Sequence, residues 1–403
     1  MKTSERLEGI GEYYFSQKLR EIDELNRQGK NIINLGIGSP DLPPHADVIR
    51  VLQEESAKPN THAYQSYKGS PLLRKAIAAW YLQWYGVTID PDSEILPLIG
   101  SKEGIMHICM TYLDEGDFAL VPNPGYPTYR SAVKLSGGSC LDYDLKEEND
   151  WFPDFEELEK KVLAAENGKA GGQGESGKTG GQGKVKLMWV NYPHMPTGKL
   201  PSEGLFEKLV AFGKKHQILI CHDNPYSFIL NENPRSLLAA PGAKDIVIEL
   251  NSLSKAQNMA GWRVGMLVGA KERIDEVLRF KSNMDSGMFL PVQLAAAKAL
   301  SLGKDWYDSL NEVYRARRER VFELLQLLDC DFSREQAGMF VWAKIPAEYK
   351  NGFELSDKVL SRANVFLTPG GIFGNAGDGY IRVSLCTPEE KLVESIARVK
   401  SAL

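Results

Sequence analysis

The sequence has few cysteines, and no two of them form a close pair. The five cysteines, at positions 109, 140, 221, 330 and 386, are scattered along 403 residues, and no Cys-x-x-Cys motif occurs. This spacing argues against a disulfide framework and against a zinc site. It predicts reduced, mostly buried thiols in a cytoplasmic protein with no metal among its site residues.

Long apolar runs and an excess of one charge are also missing. No stretch approaches the roughly 20 residues that a membrane helix needs, and residues 1–8 lack the apolar segment of a signal peptide. The net charge of −5 comes from acids and bases mixed along the chain. The sequence therefore predicts no binding to nucleic acid or to a membrane. What remains is a globular composition in a chain long enough for two domains.

The most informative stretch is residues 249–265, where Lys255 lies between two short apolar runs of strand type, 246–250 and 263–269. Ser252, Ser254 and Arg263 lie near it in sequence. An amine can bond covalently to an aldehyde cofactor, and two hydroxyls and a guanidinium suit a phosphate group. An exposed loop lysine is the ordinary alternative for any single lysine.

A second phosphate signal lies at Ser101 and Lys102, which follow a strand and a tight turn at Gly100. The helix predicted to begin there would present free N–H groups and the positive end of its dipole. The segment is not a Walker A loop, because the required glycine and lysine order is absent. A simple capped helix is the alternative.

Two further elements place polar or aromatic side chains at predicted strand ends. Tyr126 lies in a proline-stiffened loop and offers a flat ring for stacking on a ligand. Residues 185–222 read as strand, helix and strand, with Ser202 as the helix cap, so Asp223 and Tyr226 fall where ligands collect in parallel sheets. A helix or turn cap is the alternative role for Asp223.

Together these motifs resemble the class I aminotransferases, pyridoxal-phosphate (PLP) enzymes of fold type I. The resemblance covers about residues 10–395 and is carried by Ser-Leu-Ser-Lys with Gly-Trp-Arg-Val-Gly, by Pro-Gly-Tyr-Pro and by Tyr-Ile-Arg-Val-Ser near the C-terminus. It implies an α/β fold whose large domain has a mostly parallel central sheet flanked by helices, beside a smaller α+β domain. The implied divisions are an N-terminal arm with part of the small domain at 1–45, the large PLP-binding domain at 46–290, and the small C-terminal domain at 291–403.

The resemblance also implies a role for each site residue. Lys255 would carry PLP and move protons, Asp223 would hold the pyridine nitrogen protonated, and Tyr226 would donate to the ring oxygen; these three are the expected catalytic residues. The other expected roles are ring stacking by Tyr126, phosphate binding by Ser101, Lys102, Ser252, Ser254 and Arg263, and substrate carboxylate binding by Arg382 and the backbone of Gly38.

Tyr64 is expected to reach the phosphate of the neighbouring subunit, which implies a homodimer with shared active sites. An ordinary packed tyrosine is the alternative. A dinucleotide-binding interpretation of Gly36-x-Gly38 is weak, because the third glycine is missing and Pro40 stands where a helix should begin.

The implied activity is transamination between an L-amino acid and a 2-oxo acid. Three motifs look most like the subgroup containing LL-diaminopimelate aminotransferase: Gly-Ser-Lys-Glu-Gly-Ile, Pro-Gly-Tyr-Pro and Asp285-Ser-Gly287. That amino acid, with 2-oxoglutarate, is therefore the lead on substrate. The alternatives are a PLP-dependent β-lyase and a PLP-binding regulator without catalysis.

One position departs from the family pattern. Met195 stands where family members usually have an asparagine that donates to the ring oxygen, and a thioether cannot donate. We therefore expect the cofactor bound at Lys255 to hold its proton to higher pH than in a relative with asparagine. His194 and His222 are candidate substitute donors, with ordinary packed histidines as the alternative.

Residues 167–184 interrupt the resemblance with a glycine-rich segment that has no apolar residue larger than alanine between Asn167 and Lys184. Such a composition predicts a flexible surface insertion. Gly172–Thr179 satisfies the Walker A spacing, so a nucleotide-binding protein is a further alternative. No strand leads into this segment and no helix-forming run follows it, which argues against that interpretation.

Overall fold

The structure, a computed structural model, describes residues 2–168 and 183–402. Most of the predicted glycine-rich insertion, including Gly172–Thr179, lies outside the described residues. The helices are α1 Tyr14–Arg27, α2 Ala46–Ser56, α3 Pro71–Tyr85, α4 Ser101–Tyr112, α5 Pro127–Leu135, α6 Phe155–Glu166, α7 Leu205–His216, α8 Lys271–Lys281, α9 Leu290–Leu300, α10 Lys304–Leu327, α11 Gly352–Ala363 and α12 Glu389–Ala402. The strands are β1 Ile33–Asn34, β2 Ile95–Leu98, β3 Phe118–Asn123, β4 Ser139–Asp144, β5 Val185–Val190, β6 Leu219–Asp223, β7 Val247–Ser252, β8 Gly265–Gly269, β9 Phe340–Lys344, β10 Val365–Phe366, β11 Thr368–Pro369 and β12 Tyr380–Ser384.

Local sequence signals fix the ends of α3. Ser70 precedes the helix and its hydroxyl accepts a hydrogen bond from the Leu72 N–H, while Pro71 occupies the first turn, where its missing N–H costs nothing. Gly86 ends the helix with φ 65°, a left-handed conformation that glycine adopts without strain. Residues at its two ends therefore account for both boundaries of this helix.

The central sheet has seven strands in the order β2-β8-β7-β6-β5-β3-β4. All neighbouring pairs are parallel except those that β8 makes with β2 and β7, which are antiparallel. The carboxyl ends of β2, β3, β5, β6 and β7 therefore share one edge with the beginning of β8. Ligands of open parallel sheets collect at this edge.

Helices cover both faces of this sheet. Helices α4, α5 and α8 pack their apolar residues against alternate strand positions such as Leu98, Val121 and Leu250. Helices α3, α6 and α7 cover the positions in between, such as Leu120 and Ile220. Because both faces are buried, the strands are nearly continuous apolar runs. The predicted α/β class with a mostly parallel central sheet is confirmed.

Two smaller sheets join the ends of the chain. Strand β12 pairs antiparallel with β11 and β9, and β1 pairs parallel with β10. The loop after β1 is tied down by a bidentate ion pair in which Arg317 of α10 donates to Asp41 at 2.6 and 2.8 Å. The N-terminal arm therefore packs with the C-terminal part of the chain.

Two sequence predictions need adjustment. The residue that precedes α7 is Gly204, with φ 76° and no side-chain cap, and Ser202 contributes only a backbone carbonyl. Gly204 adopts the left-handed turn that starts the helix later than predicted. Strand β8 begins at Gly265, which leaves Arg263 outside the sheet with φ 57°. Among the described helices, none combines the length and apolarity needed to cross a bilayer.

Candidate active site

Lys255 lies in the connection from β7 to β8, at the ligand-binding edge of the sheet. Its Nζ donates to the carbonyl oxygen of Gly38 at 2.6 Å and lies 5.8 Å from the centre of the Tyr226 ring. Burial lowers the pKa of Lys255, and the positive charges of Arg382 and Arg263 act in the same direction. A lower pKa leaves more of the amine unprotonated, which is the form that attacks an aldehyde.

A group of hydroxyl, guanidinium and N–H donors lies beside Lys255. Strand pairing places Gly265 opposite both Ser252 and Leu98, which brings the β7–β8 connection to the start of α4. The Ser254 hydroxyl accepts a hydrogen bond from Arg263 Nη1 at 3.5 Å. A side chain on Gly100 would collide with the Arg263 guanidinium, so this guanidinium lies directly on the turn before Ser101.

The N-terminus of α4 is open to an anion. Gly100 precedes the helix and offers no side-chain cap to its first N–H groups. These uncapped N–H groups lie next to Ser101, Arg263, Ser252 and Ser254. Together they form an arrangement that suits a phosphate. Lys102 is close by, but its Nζ lies 4.5 Å from the centre of the Tyr13 ring. Burial, assisted by Arg263, lowers the pKa of Lys102.

Asp223 ends strand β6 as a buried carboxylate with one unused oxygen. Oδ2 accepts a hydrogen bond from the Tyr129 hydroxyl at 2.7 Å, whereas Oδ1 has no hydrogen-bond partner among the described residues. Burial raises the pKa of Asp223 to about 6, although the Tyr129 hydrogen bond and the charge of His222 oppose the rise. A buried acceptor without a donor fits the protonated nitrogen of a pyridine ring.

Aromatic rings surround this carboxylate. Tyr126 immediately precedes α5 and its ring lies edge-on to Tyr129, with centroids 5.5 Å apart. Tyr129 stacks on Trp189 at 4.9 Å. Tyr226 is half-buried, and its ring lies 6.0 Å from that of Phe340. These rings give a planar ligand flat surfaces to contact.

Arg382 lies mid-way along β12 and is 4 % exposed. Its Nη2 donates to the Gly36 carbonyl at 2.8 Å, and Nη1 lies 3.2 Å from the Met195 sulfur. The guanidinium lies 3.8 Å from the centre of the Phe340 ring and 4.7 Å from that of Phe373. Within the described residues it forms no ion pair and Nε has no partner, and burial lowers its pKa to about 10. A substrate carboxylate would supply the missing anion.

The structure brings together most of the residues singled out in the sequence. Lys255 contacts Gly38, the phosphate donors adjoin it, and the pKa of Lys255 responds to both Asp223 and Arg382. Tyr64 is the exception: it is 91 % exposed, and no hydrogen bond or aromatic contact among the described residues joins it to the others. The alternative of a packed tyrosine is therefore wrong within a single chain.

Three residues near the site escaped the sequence analysis. Tyr129 follows Tyr126 by three positions at a helix start, a spacing that could have indicated it. Asn191 donates to the Asp223 carbonyl at 2.6 Å and accepts the Met195 N–H, which orders the turn after β5. Tyr13 of the N-terminal arm contacts Lys102, a long-range contact with no local signal.

Of the two histidines considered as substitute donors, only His222 has both ring nitrogens occupied, whereas His194 Nε2 has no partner among the described residues. His222 is hydrogen-bonded through both ring nitrogens, to Glu249 at 2.7 Å and to the Tyr192 carbonyl at 3.1 Å. His194 contacts the Thr197 hydroxyl at 2.8 Å, and burial lowers its pKa to about 3. His222 therefore has no ring nitrogen left to serve the ring oxygen.

A separate cluster was not expected from the sequence. Glu103, His107 and Asp285 place possible metal-ligand atoms within 4.8 Å of one another. The buried Lys281 ammonium already lies 2.8 Å from Asp285, and His107 is 2.6 Å from Glu103. The cluster thus contains its own cation and holds together as an ion pair and a hydrogen bond.

Comparison with known proteins gives the family. The profile of the family described as aminotransferase class I and II matches residues 30–399. LL-diaminopimelate aminotransferase from Dehalococcoides mccartyi is 38 % identical over 401 residues, covering 99 % of this chain and 98 % of the relative. Apo-BacF from Bacillus subtilis superposes with a TM-score of 0.91 at 35 % identity, covering 100 % of this chain and 99 % of that one. An aminotransferase from Staphylococcus aureus gives 0.85 at 28 %, with 99 % and 98 % covered.

The chain belongs to the class I and II aminotransferases and has their α/β fold. It is an enzyme that uses PLP, as the resemblance implied. The unused oxygen of Asp223 and the uncapped start of α4 fit the nitrogen and the phosphate of that cofactor.

The burial of Asp223 gives a prediction for the cofactor-free protein. Because the pKa is raised to about 6 in the folded state, the folded protein binds this proton more tightly than the unfolded chain does. The ionised carboxylate therefore lowers the free energy of unfolding. This loss is absent below about pH 4, grows as the pH rises, and is complete once the pH has passed about 6. Asp223→Asn should therefore raise the free energy of unfolding at pH 8 by about 2–3 kcal/mol and have little effect at pH 4.

The measurement is denaturant unfolding of the cofactor-free protein between pH 4 and pH 8. Asp114→Asn is the matched control, because that side chain is 91 % exposed. Equal pH profiles for wild type and Asp223→Asn would contradict the prediction.

Proposed function

We propose that this enzyme transfers the amino group of an L-amino acid to a 2-oxo acid, with LL-diaminopimelate or a similar amino acid as donor and 2-oxoglutarate as acceptor. One observation carries the reaction type: the partly buried amine of Lys255 shares its surroundings with Asp223 and Arg382. Among the described residues, Asp223 has one oxygen without a donor and Arg382 has no anionic partner. The donor is suggested by the curated name of the full-length relatives.

The proposed cofactor contacts follow from the donor and acceptor inventory. The phosphate would be held by Ser101, Lys102, Ser252, Ser254 and Arg263. The Asp223 carboxylate would accept a hydrogen bond from the ring nitrogen, Tyr126 would lie against the ring, and Tyr226 would donate to the ring oxygen. When bound, PLP supplies an electron-withdrawing ring that acidifies the α-hydrogen of the substrate.

The remaining steps belong to the protein. Arg382 would bind the substrate α-carboxylate through its guanidinium, with the backbone of Gly38 beside it. Lys255 Nζ would accept the proton from the α-carbon and return it as a general acid. The low pKa of Lys255 keeps the amine free to accept that proton. The aromatic rings next to Arg382 limit the access of water to this ion pair.

We also propose a homodimer in which each subunit completes the site of the other. Tyr64 is exposed in the single chain and lies outside its own site, as expected for a side chain that reaches a partner. The divisions at 1–45, 46–290 and 291–403 are proposed as the domains, and the free cysteines support a cytoplasmic location.

The first test is the purified protein with PLP and a panel of amino acids and 2-oxo acids. Amino-group transfer to 2-oxoglutarate is expected, and Lys255→Ala should reduce its rate at least about 10³-fold because the proton-transfer group is lost. Lys208→Ala, on the exposed face of α7, is the control. Release of ammonia with pyruvate would identify a β-lyase, and PLP binding without turnover would identify a regulator.

Shared sites can be tested by mixing inactive subunits. Tyr64→Ala should weaken PLP binding about tenfold, the magnitude of one hydrogen bond to a charged group. At limiting PLP, dimers formed from Tyr64→Ala and Lys255→Ala subunits regain one complete site and therefore activity. If mixing restores no activity, the sites are not shared.

Met195 gives a spectroscopic prediction. Its side chain is buried next to Arg382 and cannot donate to the ring oxygen. Met195→Asn supplies an N–H donor that stabilises the anionic oxygen, so the pH midpoint of the visible absorbance of bound PLP should fall by about one unit. Met195→Leu is the matched control, since it preserves volume without adding a donor. An unchanged midpoint in Met195→Asn would refute the role assigned to this position.

A further inference from the structure

His222 is a buried histidine that precedes Asp223 on β6 and has no role in the steps above. Its side chain has no exposure, and both ring nitrogens face hydrogen-bond acceptors. The Tyr192 carbonyl can only accept, so Nε2 must carry a proton. The protonation of Nδ1 then depends on the state of its partner, Glu249, which lies on β7.

Glu249 is surrounded by donors. Its Oε2 accepts from the Ser236 hydroxyl at 2.8 Å and from the Leu237 N–H at 3.1 Å, and Oε1 accepts from the Tyr81 hydroxyl at 2.9 Å. A backbone N–H can only donate, and several donors on one carboxyl group favour its ionised form. An ionised Glu249 requires a proton on His222 Nδ1, which makes His222 an imidazolium.

Strand pairing sets His222 of β6 opposite Glu249 of β7, and Asp223 opposite Leu250, so the pair lies one residue from Asp223 along both strands. The positive charge of His222 opposes the effect of burial on the Asp223 pKa more strongly than the negative charge of Glu249 adds to it. The other titratable groups that influence Asp223 are Tyr129 and Lys255.

His222 also joins the ends of two neighbouring strands. Its Nε2 donates to the carbonyl of Tyr192, and Asn191 donates to the carbonyl of Asp223. The turn after β5, which contains Met195, is thereby fixed relative to the end of β6. The histidine can therefore influence Asp223 through charge and through position.

We propose that His222, held as an imidazolium by Glu249, is a positioning residue that keeps the Asp223 carboxylate ionised for the ring nitrogen of the cofactor. The proposal rests on the proposed role of Asp223, but its protonation state and its electrostatic effect are both measurable without cofactor. The uncharged alternative is a neutral histidine beside a protonated Glu249. It predicts one N–H proton on the ring of His222, whereas an imidazolium has two.

The first test is nitrogen NMR of the cofactor-free protein labelled at its six histidines, with His222 assigned from a His222→Gln sample. Both ring nitrogens of His222 are expected to carry a proton, because each faces an acceptor. A ring nitrogen without a proton would overturn the proposal. This measurement on the wild type remains decisive if the variant folds poorly, because the signal can then be assigned with Glu249→Gln.

The second test measures the effect on Asp223. The pH midpoint at which Asp223 ionises is obtained from the stability difference between each protein and its Asp223→Asn counterpart. His222→Gln should raise this midpoint by about one unit, because a nearby positive charge is lost. The double variant His222→Gln/Glu249→Gln should show a smaller rise, since the opposing negative charge is removed as well.

His216→Gln is the matched control, because His216 forms a histidine–glutamate pair with Glu159 at 2.8 Å on the far end of α7. It should leave the midpoint unchanged. If His222→Gln also leaves it unchanged, His222 has only a packing role and the proposal fails. Absence of transamination by the wild-type enzyme would instead overturn the proposed function, with the NMR result unaffected.

Discussion

The site depends on one feature of the central sheet: β8 runs antiparallel between β2 and β7. This direction places the beginning of β8 at the edge where the other strands end, so Gly265 pairs with both Leu98 and Ser252. A side chain on Gly265 would collide with the Ser101 backbone, so glycine is required where the three segments meet. The donors suited to a phosphate come from separate parts of the chain and meet because of this pairing.

The site concentrates polar groups whose burial opposes folding. Asp223 has an unused oxygen, Arg382 has no anionic partner among the described residues, and burial lowers the pKa of Lys255. Such groups destabilise a protein until a ligand pairs with them. The apolar layers on both faces of the sheet supply the compensating stability. The cofactor and the substrate carboxylate would supply the partners that these groups lack, so their binding would stabilise the folded protein.

The proposed imidazolium at His222 extends this arrangement beyond the residues that would touch the cofactor. Glu249 is fully buried and its hydrogen bonds come from α3, β6 and the segment after Asn224. The network joins three elements behind the end of β6. The charges of this network would affect the ionisation of Asp223, and its hydrogen bonds would fix the position of that residue. Position and ionisation of the carboxylate are therefore linked.

Several parts of the fold and site could be predicted because their signals are local. The strand type of the run before Lys255, the glycine turn before Ser101 and the helix from Pro71 each follow from residues within a few positions. Strand and helix ends also place the polar residues of such motifs at one edge of a parallel sheet. The predicted start of α7 was wrong because Gly204, and not Ser202, precedes the helix, in a left-handed conformation that glycine adopts without strain.

The sequence alone determined the α/β class, the strand ends that present Lys255, Asp223 and Ser101, and the family resemblance, because each depends on short-range pattern. Only the tertiary structure decided the contacts between distant segments. Tyr129 and Asp223 are 94 positions apart, and Met195 and Arg382 are 187 apart, yet both pairs are in contact. Such contacts depend on how the sheets and helices pack, which local propensity does not encode. The exposure of Tyr64 has the same origin, because burial is a property of the folded surface.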